Sequence, residues 1–421
     1  MSNKLSSYRN LIMQNGIFVF FANIAIGVPS VFALYVADSA LTREYLSAFI
    51  KVWALTNTLI VGVTSPLITY APNLRMDFKN DTAQFDQYFF SISFITSLII
   101  IIPTEIVAVC WLFGITDFTV LSSLALFIIF SISFNVKNAL LIAKGAYGKY
   151  LLGASVYGIA ASLALLFFLY IEFQSISTLF YIFSFALGVA SIDRFFAFVV
   201  DFSTLGFPAF VSRIVKMKTF TPFLITVFIT SCSTFILNGP LLFGSLIGSS
   251  NSQLVTFGTC LNIGLICYTI LNSFTSPIQT SLISSLNQSE NGRFGLIYRK
   301  SFNNYLLFTL FLTIFLSATL NFFAQIYVPS VLHLNFMTRL ILVAGLGFST
   351  LAGLPRLGLM FSKRYTQLFF IWCGGLFLFF LVVFLPVEPF TAMVLAPTIA
   401  SFFILIACTA SLGKLEGIVL G

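Results

Sequence analysis

The chain reads as an all-α polytopic membrane protein, with about 12 transmembrane helices in two parallel six-helix lobes. Three observations carry that reading. The composition is 59% hydrophobic and only 8% charged, where a soluble domain has roughly 25% charged residues, and the mean hydropathy is +1.03. Apolar runs of about 20 residues, the length that crosses a bilayer, recur from end to end. The phrase TSPLIT at 64–69 returns as TSPIQT at 275–280, 211 residues later in a chain of 421.

Apolar runs read against their polar punctuation give spans at about 11–36, 46–71, 88–113, 119–142, 150–171, 178–200, 220–247, 253–283, 302–326, 338–361, 366–385 and 390–412. The first run, Leu11 to Val36, is too long for a signal-peptide core and no A-x-A site follows it, so it reads as an uncleaved span. The six cysteines all fall inside apolar segments with no ligand spacing, which argues against a disulfide framework or a metal site. His333 is the lone histidine, which excludes a histidine-rich metal centre and disfavours a hydrolase triad.

Orientation comes from the short loops. Fifteen of the 21 basic residues lie on one side: Lys4, Arg9, Arg75, Lys79, Lys144, Lys149, Arg213, Lys216, Lys218, Arg293, Arg299, Lys300, Lys363, Arg364 and Lys414. The other side has Arg43 and Arg339. The positive-inside rule then places both termini in the cytoplasm. The net charge of +8 follows from this sidedness, and nucleic acid is not implied. The longest extracytoplasmic loop, about 327–337, is too short to form a soluble domain.

Overlaying the chain on itself at an offset of 211 puts Pro29 on Pro240, and Thr64, Ser65, Pro66 and Thr69 on Thr275, Ser276, Pro277 and Thr280. Overall identity is low, but two separate prolines agree in corresponding spans. This register predicts an internal duplication: an N-lobe over 1–205, a cytoplasmic linker over 206–219 and a C-lobe over 220–421. Six spans per half is even, so both halves enter from the cytoplasm as a parallel repeat. A proline inside a helix frees the carbonyl four residues back, here those of Ala25, Gly62, Ile236 and Ser273. Two readings stand: Pro29, Pro66, Pro240 and Pro277 form hinges or gates, or they are static packing kinks of the kind common in membrane helices.

Ionisable residues within spans face protein interiors or watery cavities and mark pathways. The cations are Lys51, Lys137, Arg194 and Arg356. Lys137, Arg194 and Arg356 each sit seven positions from a polar residue at the cytoplasmic end of their span, roughly 10 Å deep at 1.5 Å per residue. If they converge they form a vestibule for an anionic head group, since arginine grips phosphate bidentately; the alternative is that each snorkels to the interface. Lys51, near the outer end of span 2, belongs to the same substrate-binding set. The acids are Glu105, two residues after Pro103, and Asp193. Each is an ion-coupling candidate for a proton or sodium, or else a structural partner for a cation. Tyr157 and Tyr268 lie near span centres, as core packing or as a platform for a sugar.

Twelve spans in two parallel lobes, short loops, bent spans 1, 2, 7 and 8 and a phenylalanine-rich, charge-poor composition resemble the polysaccharide flippases. These form the O-antigen and exopolysaccharide branch of the multidrug/oligosaccharidyl-lipid/polysaccharide exporter superfamily. The stretch from Pro29 through Leu34 and Tyr35 to Tyr45 and Leu46 is similar to that family's first hairpin. The resemblance implies a V-shaped exporter fold in a bacterial inner membrane, with no cofactor and with proton or sodium coupling. It implies a flippase that moves undecaprenyl-pyrophosphate-linked oligosaccharide by alternating access, for O-antigen or another lipopolysaccharide-type glycan, alongside a polysaccharide polymerase machinery. Membrane lipids and the pyrophosphate head group are its implied partners. Lipid-II flippases of the superfamily usually have fourteen spans, and drug-extruding relatives often place an acid in span 1, where this chain has only Asp38 at the outer end. The competing expectations are a cation-coupled drug or small-solute exporter of the same superfamily, and an enzyme, a membrane polysaccharide polymerase or ligase. The enzyme reading lacks the large catalytic loop such proteins carry.

Overall fold

The computed structural model describes residues 2–77, 99, 101–171, 175–204, 220–287 and 291–419. Among these the regular structure is helical throughout: α1 (Ser2–Ala40), α2 (Arg43–Asp77), α3 (Ile101–Phe113), α4 (Phe118–Ala143), α5 (Tyr147–Phe168), α6 (Ile176–Thr204), α7 (Phe220–Phe243), α8 (Asn251–Asn287), α9 (Asn291–Tyr327), α10 (Phe336–Leu351), α11 (Gly353–Phe361), α12 (Tyr365–Val383) and α13 (Pro389–Val419). Each of the twelve expected spans contains a helix, and nine stretches among the described residues are long and apolar enough to cross a membrane. The first part of span 3 and the linker at 206–219 lie outside the described residues.

Span 10, expected over 338–361, is one apolar span at Phe336–Met360 with an interruption at Ala352, after which the chain continues as α11. Pro355 supplies the reason, because it has no N–H for the carbonyl of Leu351 and disfavours helix in the residue before it. The N–H of Arg356 resumes the ladder at Ala352 O, 3.1 Å away.

Local chemistry sets the helix ends. Asp117 caps α4 by accepting from the Thr119 N–H at 2.8 Å, and Asn335 caps α10 through the Thr338 N–H at 2.8 Å. Ser250 and Gln253 form a reciprocal capping box at the start of α8, with Ser250 N–H donating to Gln253 Oε1 at 2.9 Å. α4 ends in a Schellman motif: Gly145 at φ +70° donates to Ile142 O and Ala146 to Leu141 O. The equivalent turn of the second half, after α11, closes the same way. There Lys363 takes the left-handed position at φ 57°, with Lys363 N–H on Met360 O and Arg364 N–H on Leu359 O.

Packing divides the chain into two compact units, Ala25–Thr234 and Met1–Ile24 with Phe235–Gly421. The divisions fall within α1 and within α7, at the repeat partners Ile24 and Phe235. The first unit is built on an aromatic cluster from α2, α4 and α6. Its Trp53 ring lies 5.4 Å from Phe127, 6.3 Å from Phe180 and 4.9 Å from Phe183. The second packs Phe235 and Phe243 of α7 against Phe379 and Phe380 of α12 at 5.7–5.8 Å. Exposed apolar side chains run in helical stripes, such as Leu152, Val156, Ile159, Leu163 and Leu166 on α5, the face a helix offers to lipid. Trp111, Phe118 and Tyr170, at span ends, are more than 80% exposed, as interfacial aromatics should be.

Candidate functional site

The four prolines share one structural feature. In each case the residue four positions back, whose carbonyl the proline frees, sits where another helix crosses. Ala25, before Pro29, brings its carbonyl against Gly158 of α5, where an added Cβ would stand 2.5 Å from Ala25 O. Gly62, before Pro66, is covered by Ser231 of α7, whose Oγ would lie 2.5 Å from a Cβ at 62. Ser273, before Pro277, accepts a hydrogen bond from Asn23 Nδ2 of α1 at 3.1 Å. Ile236, before Pro240, packs its side chain on Gly375 of α12. These contacts pair off under the 211-residue offset: α1 on α5 matches α7 on α12, and α1 on α8 matches α7 on α2. Pro29, Pro66 and Pro240 are buried; the side chain of Pro277 lies outside the described set. The Thr64 hydroxyl donates to Ile60 O at 2.7 Å.

The expected cationic set separates into different environments. Lys137 on α4 donates to the carbonyl of Ala190 on α6 at 2.9 Å, one helical turn before Arg194. It therefore does not need the interface, and one of its bonds is to protein. Asp193 and Arg194 lie in α6, and their side chains fall outside the described set. Lys51 on α2 is half-buried. Its repeat partner Asn262 satisfies itself within α8 by donating to Gly258 O at 2.9 Å. Arg356, in the first turn of α11, lies in the Gly353–Phe361 segment that packs on α13, near Cys408. Its Nε is buried with no hydrogen-bond partner, and the one titratable group that acts on it among the described residues is Cys408. Close by, Gln367 of α12 donates to Ser411 Oγ of α13 at 2.8 Å while its Oε1 is also left without a partner. Lys137 and Arg356 belong to different packing units.

Glu105 on α3 is fully buried. Thr56 Oγ1 of α2 lies 2.5 Å from Glu105 Oε1 and 2.8 Å from the carbonyl of Val52 on its own helix. Glu105 Oε2 has no partner. The sequence pointed to the acid but not to Thr56; a threonine facing a membrane carboxylate has no spacing signature when the two lie 49 residues apart.

Several other polar side chains tie neighbouring elements together. Tyr268, 1% exposed, has its hydroxyl 2.7 Å from Thr313 Oγ1 and donates to Val343 O at 3.3 Å, tying α8 to α9 and α10. The Tyr157 ring packs 5.3 Å from Phe134. His333 lies 3.1 Å from Asn321 Nδ2 in the loop between α9 and α10, which Asn321 also pins through both backbone groups of Leu334. Arg339 donates to Ala318 O at 3.0 Å. Among the described residues no group of histidine, cysteine or acid side chains is placed to hold a metal.

No protein-family model matches the chain, and no curated protein matches it in sequence. Solved structures do. An outward-facing multidrug resistance MATE family transporter of the MOP superfamily superposes with a TM-score of 0.68 at 11% identity, over 98% of this chain and 96% of that one. An inward-facing MATE family transporter gives 0.58 at 12% identity, over 96% and 98%. A MOP superfamily transporter from Pyrococcus furiosus, whose reversed binding-pocket polarity is reported to suggest a different function, gives 0.64 at 12% identity, over 97% of each chain. The chain shares the fold of these transporters along essentially its whole length.

Proposed function

We propose that the chain is an alternating-access exporter that moves an amphipathic solute across the membrane its helices span. One observation supports this most: the likeness over nearly the whole of both chains to transporters solved in both outward- and inward-facing forms. Rocking between such forms needs no covalent chemistry, because differential affinity for two conformers moves the load. On this reading a small solute or drug-like molecule leaves in exchange for a proton or sodium, with Glu105 and Asp193 as the candidate coupling groups.

A second reading has its own observation. Arg356 is an intramembrane guanidinium with a buried, unpartnered Nε, and four cations face two acids within the expected spans. That balance suits an anionic cargo. It favours a flippase for a lipid-linked oligosaccharide, with the pyrophosphate on Arg356, Arg194 and Lys51 and the lipid tail left in the bilayer. The Pyrococcus relative is reported with reversed pocket polarity, so this fold by itself does not dictate the sign of the cargo. Under either reading the protein sits in a bacterial inner membrane with both termini cytoplasmic.

Deleting the gene in its host separates the two. An exporter null becomes more sensitive to toxic amphipaths and keeps its surface glycan. A flippase null loses surface glycan and accumulates lipid-linked repeat units inside. Neither phenotype, in a host without a redundant transporter, refutes both.

A further inference from the structure

We propose that Glu105 stands here as a neutral carboxylic acid donating its proton to Thr56, and that this buried acid is the proton-carrying group of the transporter. The second half rests on the exporter reading; the first does not.

The argument is a count of hydrogens. A threonine hydroxyl has one proton to donate. The Oγ1 of Thr56 lies 2.8 Å from the carbonyl of Val52, the usual bond of a threonine to the residue four back in its helix. A carbonyl only accepts, so the Thr56 proton belongs to that bond. The contact at 2.5 Å between Thr56 Oγ1 and Glu105 Oε1 then lacks a hydrogen unless the carboxyl supplies one. A carboxylate would set its lone pairs against those of the hydroxyl, whereas an acid O–H makes a short O–H···O bond.

The surroundings agree. Glu105 has no solvent exposure and Oε2 has no partner. A carboxylate has two acceptor oxygens needing several donors, and burying it unpaired inside a membrane is costly. The neutral acid leaves far less unsatisfied. Among the described residues no charge acts on it to hold the ionised form. On α2, Thr56 is the one side chain that acts on the carboxyl; Lys51 lies five positions away on another face of that helix. Over its described length α3 carries only Cys110 as a further titratable group, and the single cation of α4, Lys137, lies on Ala190 O. A sodium ion would want a shell of oxygens, and this acid and one hydroxyl do not make one. Losing the proton requires α2 and α3 to give the carboxylate water or a cation, so its charge state is tied to their packing.

The test is infrared difference spectroscopy on the full chain in lipid bilayers at neutral pH. The expected result is a carboxylic-acid carbonyl band that is absent in Glu105→Gln, shifted in Thr56→Val and unchanged when sodium replaces potassium. A wild-type spectrum identical to that of Glu105→Gln in the acid region shows Glu105 ionised and overturns the assignment. A band abolished by sodium converts the site to a sodium site and overturns it equally. The carrier role is read separately, by spin-label distances across the two packing units as a function of pH. Loss of pH dependence in Glu105→Gln is expected; pH dependence equal to wild type removes the carrier role while leaving the exporter reading to the deletion phenotype.

Discussion

The two halves of this chain share a backbone plan and differ in what their buried polar groups lack. In the unit Ala25–Thr234, Lys137 has a carbonyl, and Glu105 has a hydroxyl on Oε1 but no partner on Oε2. In the other unit, Arg356 and Gln367 each leave an atom unsatisfied in the α11–α13 region. Positions 211 apart share the proline breaks and the helix crossings beneath them, as expected where packing depends on both. They do not share charge: Lys51 faces Asn262 across the repeat, and Glu105 and Arg356 have no mates of like sign. An unpartnered group in a folded interior is expensive to keep; the first unit keeps one on an acid, Glu105 Oε2, and the second keeps one on a cation, Arg356 Nε.

The largest effect expected from this comparison is at Arg356. Charge reversal, Arg356→Glu, should lower transport at least about 30-fold at normal protein level, because a hydrogen bond to a charged group contributes about 1.5–3 kcal/mol and reversal adds repulsion. Lys137→Met should leave transport within about 3-fold, since the lost bond to a carbonyl is offset by removing a buried charge. Complementation of the deletion strain, with protein quantified by blotting, checks both. Equal losses at the two positions would abolish the distinction between the halves.

Next is the crossing at the first kink. Gly158→Ala forces a Cβ onto Ala25 O at 2.5 Å and should cost about 1–3 kcal/mol of stability. Gly153→Ala on the same helix meets nothing within 4 Å and should be neutral or stabilising by up to about 1 kcal/mol. Thermal unfolding in detergent reads the difference in sign.

The matching turns offer a smaller effect. Gly145 and Lys363 close equivalent helix ends in the left-handed region. Lys363→Gly should therefore stabilise by about 1 kcal/mol, and Gly145→Lys destabilise by a similar amount. The same melts decide it.

The smallest effect sits at the exposed start of α13. Glu388 is exposed, and burial there works to raise its pKa; hydrogen bonds from Thr391, Phe390 and Gln253 outweigh it and hold the carboxyl below its ordinary 4.5. The lowered value means the cap on α13 contributes at neutral pH and fades as pH falls below 4.5 through that value. Glu388→Ala should cost about 0.5–1 kcal/mol at pH 7 and nothing measurable in acid, seen as convergence of the two melting curves.

The helical plan was legible because bilayer thickness imposes a length on every span and because proline cannot hide in a helix. The interruption inside span 10 carried its own sign in Pro355. The partners of the buried groups were not legible. Thr56 and Glu105, Lys137 and Ala190, and Asn23 and Ser273 meet through helix rotation and crossing angle, and neither leaves a periodic mark in the sequence. Sequence placed Lys137 with Arg356 by depth alone; depth carries no azimuth, and the structure puts the two in different surroundings.

The central claim is that the two units rock, with the buried acid setting the balance. The direct measurement is double electron–electron resonance in lipid nanodiscs, on a background with the six native cysteines replaced. One pair of spin labels goes at exposed outer positions, Glu44 and Ser245, and one at exposed inner positions, Lys149 and Arg364, each pair joining one unit to the other. As pH is stepped between mildly acidic and alkaline, the account predicts that the outer and inner distances change in opposite senses. Distances that stay fixed, or that lengthen and shorten together, would contradict it.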